Sequence, residues 1–278
     1  MQFELMHLTL LPRQQLELFE RVGITREAWL REIFAEKILF MHRNEQFHYV
    51  PETDESIGYA PYIAGRIGRR VSVTENEPPE AGLHELHRPS WKASNLFIDP
   101  RHHDEGQKAA LQYRDDIGKP LAILQSLANH INKEFEPRPP YAMQVAPISD
   151  ADSFWDFAEK NEGNVTCVAF DLFTPNMFDG PENMDKEMKE MRDKERARKI
   201  KFELENPDSL DLNTPRVKAL VSYAAKGGGS IKARAKGRKS YNSKRKVKTV
   251  PIPDPEQTDT KSALMDVIKA VKVLIFGS

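Results

Sequence analysis

The chain has 278 residues, with 41 Lys plus Arg against 42 Asp plus Glu and a formal net charge of -1, which excludes a histone-like polycation. At 39% hydrophobic and 30% charged it can fill a core as one large domain or two small ones. The single cysteine, Cys167, excludes an intrachain disulfide and a thiolate zinc site.

Residues 2–10 read as a strand, with Phe3 and Leu5 alternating before the pattern shifts to Met6, Leu8 and Leu10, and a helix is expected to follow. Thr25 can cap the next helix, in which Trp29, Leu30, Ile33, Phe34 and Ile38 recur at helical spacing. Residues 38–49 look extended. Residues 51–89, rich in Pro, Gly and acids, read as a loop with at most two short strands. Residues 95–98 form a buried strand, Asp99-Pro100 a turn, and 107–113 its hairpin partner. Leu121, Leu124, Ala128, Ile131 and Phe135 are spaced 3, 4, 3 and 4 apart behind Pro120, which predicts a helix with one apolar stripe. Strands at 141–148 and 164–174 flank a helix at 150–160, and Cys167 reads as a buried strand residue. Residues 184–205, nearly all charged with acid-first pairs four apart, predict an exposed helix. A helix at 214–225 ends in Gly227-Gly228-Gly229, two extended stretches cover 230–236 and 245–252, and a final helix at 258–276 docks on the core.

The fold class expected from this order is α+β, with small mixed or antiparallel sheets covered by helices and a basic C-terminal β-hairpin. Residues 1–178 would form the body, with a Pro/Gly-rich insertion near 51–90. Residues 179–278 would supply the charged helix, the hairpin and the last helix.

The sharpest feature is residues 226–248. They hold ten cations, Lys226, Lys232, Arg234, Lys236, Arg238, Lys239, Lys244, Arg245, Lys246 and Lys248, and no acid. Removing these ten from 41 leaves 31 basic residues against 42 acidic ones, so an acidic body carries one cationic segment. Phosphate neutralisation with counterion release would give such a segment salt-sensitive affinity without sequence preference. Tyr241 could stack on a base and Asn242 could touch a base edge, while the glycines could let backbone amides approach phosphate. A solvated hairpin, or one pairing with acidic protein surface, is the other reading.

A second basic point is Arg66, Arg69 and Arg70, within Ile63-Ala64-Gly65-Arg66-Ile67-Gly68-Arg69-Arg70-Val71. Gly65 and Gly68 make this stretch resemble the GXXG loop of KH domains, which implies a loop against which a nucleic-acid backbone lies. Over these nine residues the competing reading is a glycine-containing turn between strands.

His84, His87, His102, His103 and Asp104 could surround a metal with a bound water, as a phosphodiesterase requires, but their spacing is unspecific. No metal and no cofactor is expected. The pairs Asp115-Asp116 and Asp150 with Asp152 are read as helix caps. The leading expectation is a nucleic-acid-binding protein, on DNA or RNA and largely sequence-nonspecific. The alternatives are a nuclease or toxin-like defence effector acting on nucleic acid, or a scaffold subunit in a homo-oligomer or protein complex. With Glu4 and His7 interrupting the N-terminal apolar run, and no stretch near ~20 apolar residues, a cytoplasmic protein without a membrane partner is expected.

Overall fold

In the computed structural model the described residues are 1–13, 24–52, 62–101, 107–134, 140–173, 190–191, 194–195, 197–252, 269–271 and 273. Their elements run in chain order β1 (Gln2–Pro12), α1 (Arg26–Ile33), β2 (Ile38–His42), β3 (Glu45–Pro51), β4 (Ile63–Asn76), β5 (Glu85–Asp99), β6 (Gln107–Tyr113), α2 (Pro120–Glu134), β7 (Tyr141–Pro147), α3 (Ala151–Glu159), β8 (Val165–Phe173), β9 (Lys199–Glu205), α4 (Pro215–Tyr223), β10 (Gly229–Ala235), β11 (Lys239–Asn242) and β12 (Thr249–Pro251). The α+β expectation, small sheets under helices, is overturned. Strands dominate, in an eight-stranded sheet ordered β12-β1-β6-β5-β4-β3-β2, with β7 also on β1, and a four-stranded sheet ordered β11-β10-β8-β9. Every pairing between them is antiparallel.

The larger sheet is curled, because α2 packs against β7 at one edge and β2 at the other. Its predicted stripe faces inward: Leu121, Leu124, Ala128 and Ile131 are buried with Leu8, Leu10, Phe40 and Tyr49. Polar side chains of α2 complete the contact. β7 is an edge strand, and edge strands present unpaired backbone groups. Asn132 donates to the Met143 carbonyl at 2.7 Å and accepts from the Met143 N–H at 2.8 Å, while Gln125 donates to the Val145 carbonyl at 3.1 Å. At the opposite edge His42 Nδ1 lies 2.8 Å from Ser126 Oγ.

Two segments differ from their sequence reading for clear reasons. The region read as a loop is a long hairpin of β4 and β5, paired from Ile63↔Ile98 to Asn76↔Glu85. Its Pro, Gly and acidic residues gather at the turn, where Gly82 and Leu83 adopt positive φ. The pairing of β3 with β4 stops at Phe47↔Arg69, and beyond it the hairpin has no paired strand on that side among the described residues. Neither face there needs a regular apolar alternation. The chain of α1 leaves helix at Ile33 rather than Ile38, since Ile38, Phe40 and His42 point inward on a strand while Leu39 and Met41 point out. Thr25 does cap α1, accepting from the Ala28 N–H at 3.1 Å. The helix expected after residue 10 lies largely outside the described residues. So do residues 184–189, 192–193 and 196 of the expected charged helix, whose residues 199–205 are instead the strand β9, and most of the last helix, from which Val271 is buried against Phe3 and Leu5.

The smaller sheet packs α3 and α4 on one face, around Phe154, Phe170, Leu172, Val217, Leu220 and Ile231. Asp150 caps α3 and Thr214 caps α4, each accepting a backbone N–H. Asp115 and Asp116 cap nothing: Asp115 accepts from Tyr113 at 2.6 Å, and Asp116 pairs with Arg114 at 2.8 Å. The expected boundary near residue 178 runs through this sheet, with β8 before it and β9 to β11 after it. Among the described residues, no helix is long and apolar enough to cross a membrane.

Two substitutions test this architecture. Asn132→Ala strands the Met143 N–H and carbonyl at the sheet edge and should cost about 2–3 kcal/mol in urea unfolding, more than Gln125→Ala. Gly65→Ala places a Cβ 2.4 Å from the buried Tyr49 ring, and overpacking of about 1–3 kcal/mol should lower the urea midpoint with the slope unchanged.

Candidate nucleic-acid interface

The basic segment does not form one ribbon. After α4 the chain makes a tight five-residue turn, Ala224–Gly228, in which Gly227 adopts φ 95°. Gly227, Gly228 and Gly229 are buried, and a Cβ at any of them would meet His7, the Tyr223 ring or the Asp171 backbone. They serve close packing and are not presented for phosphate. β10 and β11 then form a hairpin whose register pairs Lys232 with Asn242, Ala233 with Tyr241 and Arg234 with Ser240. The second extended stretch, expected at 245–252, is divided. β11 ends at Asn242, Ser243–Arg245 is one helical turn held by the Asn242 side chain, and β12 joins the larger sheet.

Strand alternation decides which residues face out. Ile231, Ala233 and Tyr241 point toward α3 and α4, whereas Lys232 and Arg234 point to the open face. Tyr241 is therefore not a stacking platform. Its ring lies 5.6 Å from Phe154 and 5.7 Å from Phe157, and its hydroxyl is 2.8 Å from Ser153 Oγ.

On the open face β9 contributes two cations that the sequence reading placed on a solvated helix. Lys199 and Lys201 stand on β9 opposite Phe173 and Asp171, at 3.5 and 3.9 Å from the Asp171 carboxylate. Partial burial holds the Lys244 ammonium below the ordinary lysine range; Asp171 counters this, while Lys199 and Lys232 add to it. Three lysines thus gather at one carboxylate, with Lys232 as a further like charge beside Lys244. Beside them is a shallow depression of about 400 Å³ lined by Asp171, Lys201, Lys232, Arg234, Asn242 and Arg245 among others. The far end is neutralised. Arg234 lies 4.0 and 3.8 Å from Glu203 and Glu205, and the buried Cys167 sulfur sits 3.4 Å from both Arg234 and Glu203.

Among the described residues, Arg234 alone of the ten basic residues in 226–248 has a carboxylate within ion-pair distance. Lys236, Arg238 and Lys239 are exposed around the hairpin turn, and Lys246 is exposed after Arg245. Lys226 and Lys248 are elsewhere: with Lys108 and Asp150 they line a groove of about 430 Å³ at the junction of the two sheets.

Arg66, Arg69 and Arg70 sit on the other sheet. The Gly65–Gly68 stretch lies inside β4, paired on both sides, so it is neither a KH-type loop nor a turn. Arg66 pairs with Glu52 at 3.3 Å. Arg69 pairs with Glu45, donates twice to the Asp116 carbonyl at 2.8 and 3.1 Å, and lies 5.7 Å from the Phe47 ring centre. Arg69 is structural, while Arg70 is exposed.

His84 and His87 are at the distal end of the β4–β5 hairpin, His87 bonding Thr74 at 2.9 Å. His102, His103 and Asp104 lie outside the described residues. No cluster of metal-ligating side chains occurs among the described residues.

Replacing Tyr241 by Phe separates its structural role from any contact with a base. The change should cost about 1 kcal/mol through loss of the Ser153 hydrogen bond and leave oligonucleotide affinity unchanged in a fluorescence-anisotropy titration.

No family model, no curated protein and no solved structure matches this chain.

Proposed function

We propose that the protein is a cytoplasmic nucleic-acid-binding protein that grips the sugar-phosphate backbone with the open face of its smaller sheet. The observation that carries this reading is a cluster of lysines in which Lys199, Lys201 and Lys244 share the carboxylate of Asp171 and Lys232 stands close enough to repel Lys244. Like charges held together in this way repel, and a phosphate chain relieves the repulsion while releasing its own counterions. Arg245, Lys236, Arg238 and Lys239 extend the same positive surface toward the hairpin turn. Phosphate contacts fix position without reading sequence, so the binding is sequence-tolerant.

The test is a titration of labelled DNA and RNA oligonucleotides across a range of sodium chloride concentrations. With Lys199, Lys201, Lys232 and Lys244 all changed to Ala, affinity falls and the slope of log K against log salt flattens by about 3–4, at roughly 0.9 per phosphate lost on duplex. Arg69→Ala lowers stability and leaves that slope in place. A lysine variant that binds with the original affinity and slope overturns the assignment.

A further inference from the structure

The larger sheet has an outer face that is covered only in part. At one end Phe3, Leu5, Phe97 and Ala110 are buried under Ile252 and Val271. At the other end, formed by β2 to β5, no described residue of another element is packed over the exposed Leu39, Met41 and Trp91. The register places Leu39, His48, Gly68 and Ala93 in one row across the four strands, and in the next row Arg70 stands opposite Trp91. Trp91 is 61% exposed, the most exposed aromatic side chain of the described core strands, and Leu39 and Met41 at the free edge are 49% and 54% exposed. The Trp91 and His48 rings meet edge to face at 5.2 Å. Gly68, between them in strand order, has no side chain to intervene.

A large indole left in water on a regular sheet costs free energy unless something covers it. The chemistry of its neighbours selects the occupant. The charged side chains of β4 on this face are both cations, Arg70 in the Trp91 row and Arg66 two rows away opposite Asn95, and the carboxylate at the margin, Glu52, is already engaged by Arg66. Arg70 forms no ion pair among the described residues. An exposed aromatic ring with the guanidinium of Arg70 opposite it suits an unpaired base beside its phosphate: the ring stacks and the cation neutralises. A duplex, whose bases are already stacked, offers Trp91 nothing equivalent.

We infer that this face is a stacking platform for single-stranded nucleic acid, with Trp91 receiving a base and Arg70 the adjacent phosphate. The inference rests on the nucleic-acid reading above and deepens it to a preference for unpaired strands. The lysine face supplies salt-dependent affinity for any polyanion, and the Trp91 face distinguishes strands with free bases.

The test uses the full chain with a labelled single-stranded oligonucleotide and its duplex, titrated in parallel, and with tryptophan emission as a second readout. Trp91→Ala weakens single-strand binding by about tenfold, leaves duplex binding unchanged and removes the quenching that the oligonucleotide causes. Trp91→Phe recovers part of the affinity. Because Trp91 is exposed, circular dichroism of both variants should match the parent. If Trp91→Ala binds the single strand as tightly as the parent, this inference falls and the lysine-face assignment stands. If the parent binds neither strand form, both fall. A native particle of two chains that Leu39→Asp with Met41→Asp splits into monomers assigns the face to a second copy and also overturns the inference.

Discussion

The contact on which the arrangement depends is the backbone of Gly227 lying against His7. A side chain at Gly227 would sit 2.4 Å from the His7 Cβ, so the turn that ends α4 is pressed directly onto β1. This explains why β1 is buried on both faces. Met6, Leu8 and Leu10 face the core under α2, while Phe3 and Leu5 face the outer cluster and His7 and Thr9 lie beneath the second sheet's turn. Buried polar groups need partners, and His7 Nδ1 lies 3.1 Å from Thr9 Oγ1. Nearby, the Ser149 N–H donates to the Ala225 carbonyl at 3.0 Å and Lys248 exchanges backbone bonds with Leu5 and Ile148. The docking fixes which face of the smaller sheet points away from the body, and that is the face with the lysines.

A second constraint shapes the larger sheet. Its two edges are brought to one helix, and the side-chain amides of Asn132 and Gln125 take the place of a neighbouring strand along β7. Closing the sheet around α2 directs Phe40, Phe47 and Tyr49 inward. The alternate residues are turned outward, and there the proposed Trp91 surface lies. Both proposed surfaces are thus the reverse faces of well-packed sheets, and period-two alternation supplies them without any loss of core.

Elements with one clear buried face could be read from the residues: the α2 stripe, the caps at Thr25 and Asp150, β7, β8 and the β5–β6 hairpin. Illegible elements lacked that face. Among the described residues the distal half of β4 and β5 pairs only with itself, so Arg70, Ser72, Thr74, Arg88 and Ser90 carry no core pattern. β9 is an edge strand, and its charged residues imitate a solvated helix because Ile200 and Phe202, the half-buried residues beneath, are too few to declare a period. The three-arginine cluster resembled a phosphate-binding loop because Gly65 and Gly68 suggest a turn. Their reason is different: Gly65 leaves room for the Tyr49 ring, whose hydroxyl donates to the Phe34 carbonyl at 3.0 Å.

The sequence by itself determined that an acidic chain carries a concentrated set of cations, because charge is a property of composition and is not changed by folding. Which of those cations act together was decided by tertiary structure. Lys226 and Lys248 go to the junction, Arg234 is neutralised by Glu203 and Glu205, Tyr241 is drawn into the core, and Lys199 and Lys201 join from a strand about thirty residues earlier. The physical reason is that a site on a sheet is assembled by register across strands, and register depends on partners distant in the chain. Trp91 shows the same limit. Its exposure beside Arg70 and His48 follows from three strands pairing in one order, and no local pattern around residue 91 records it.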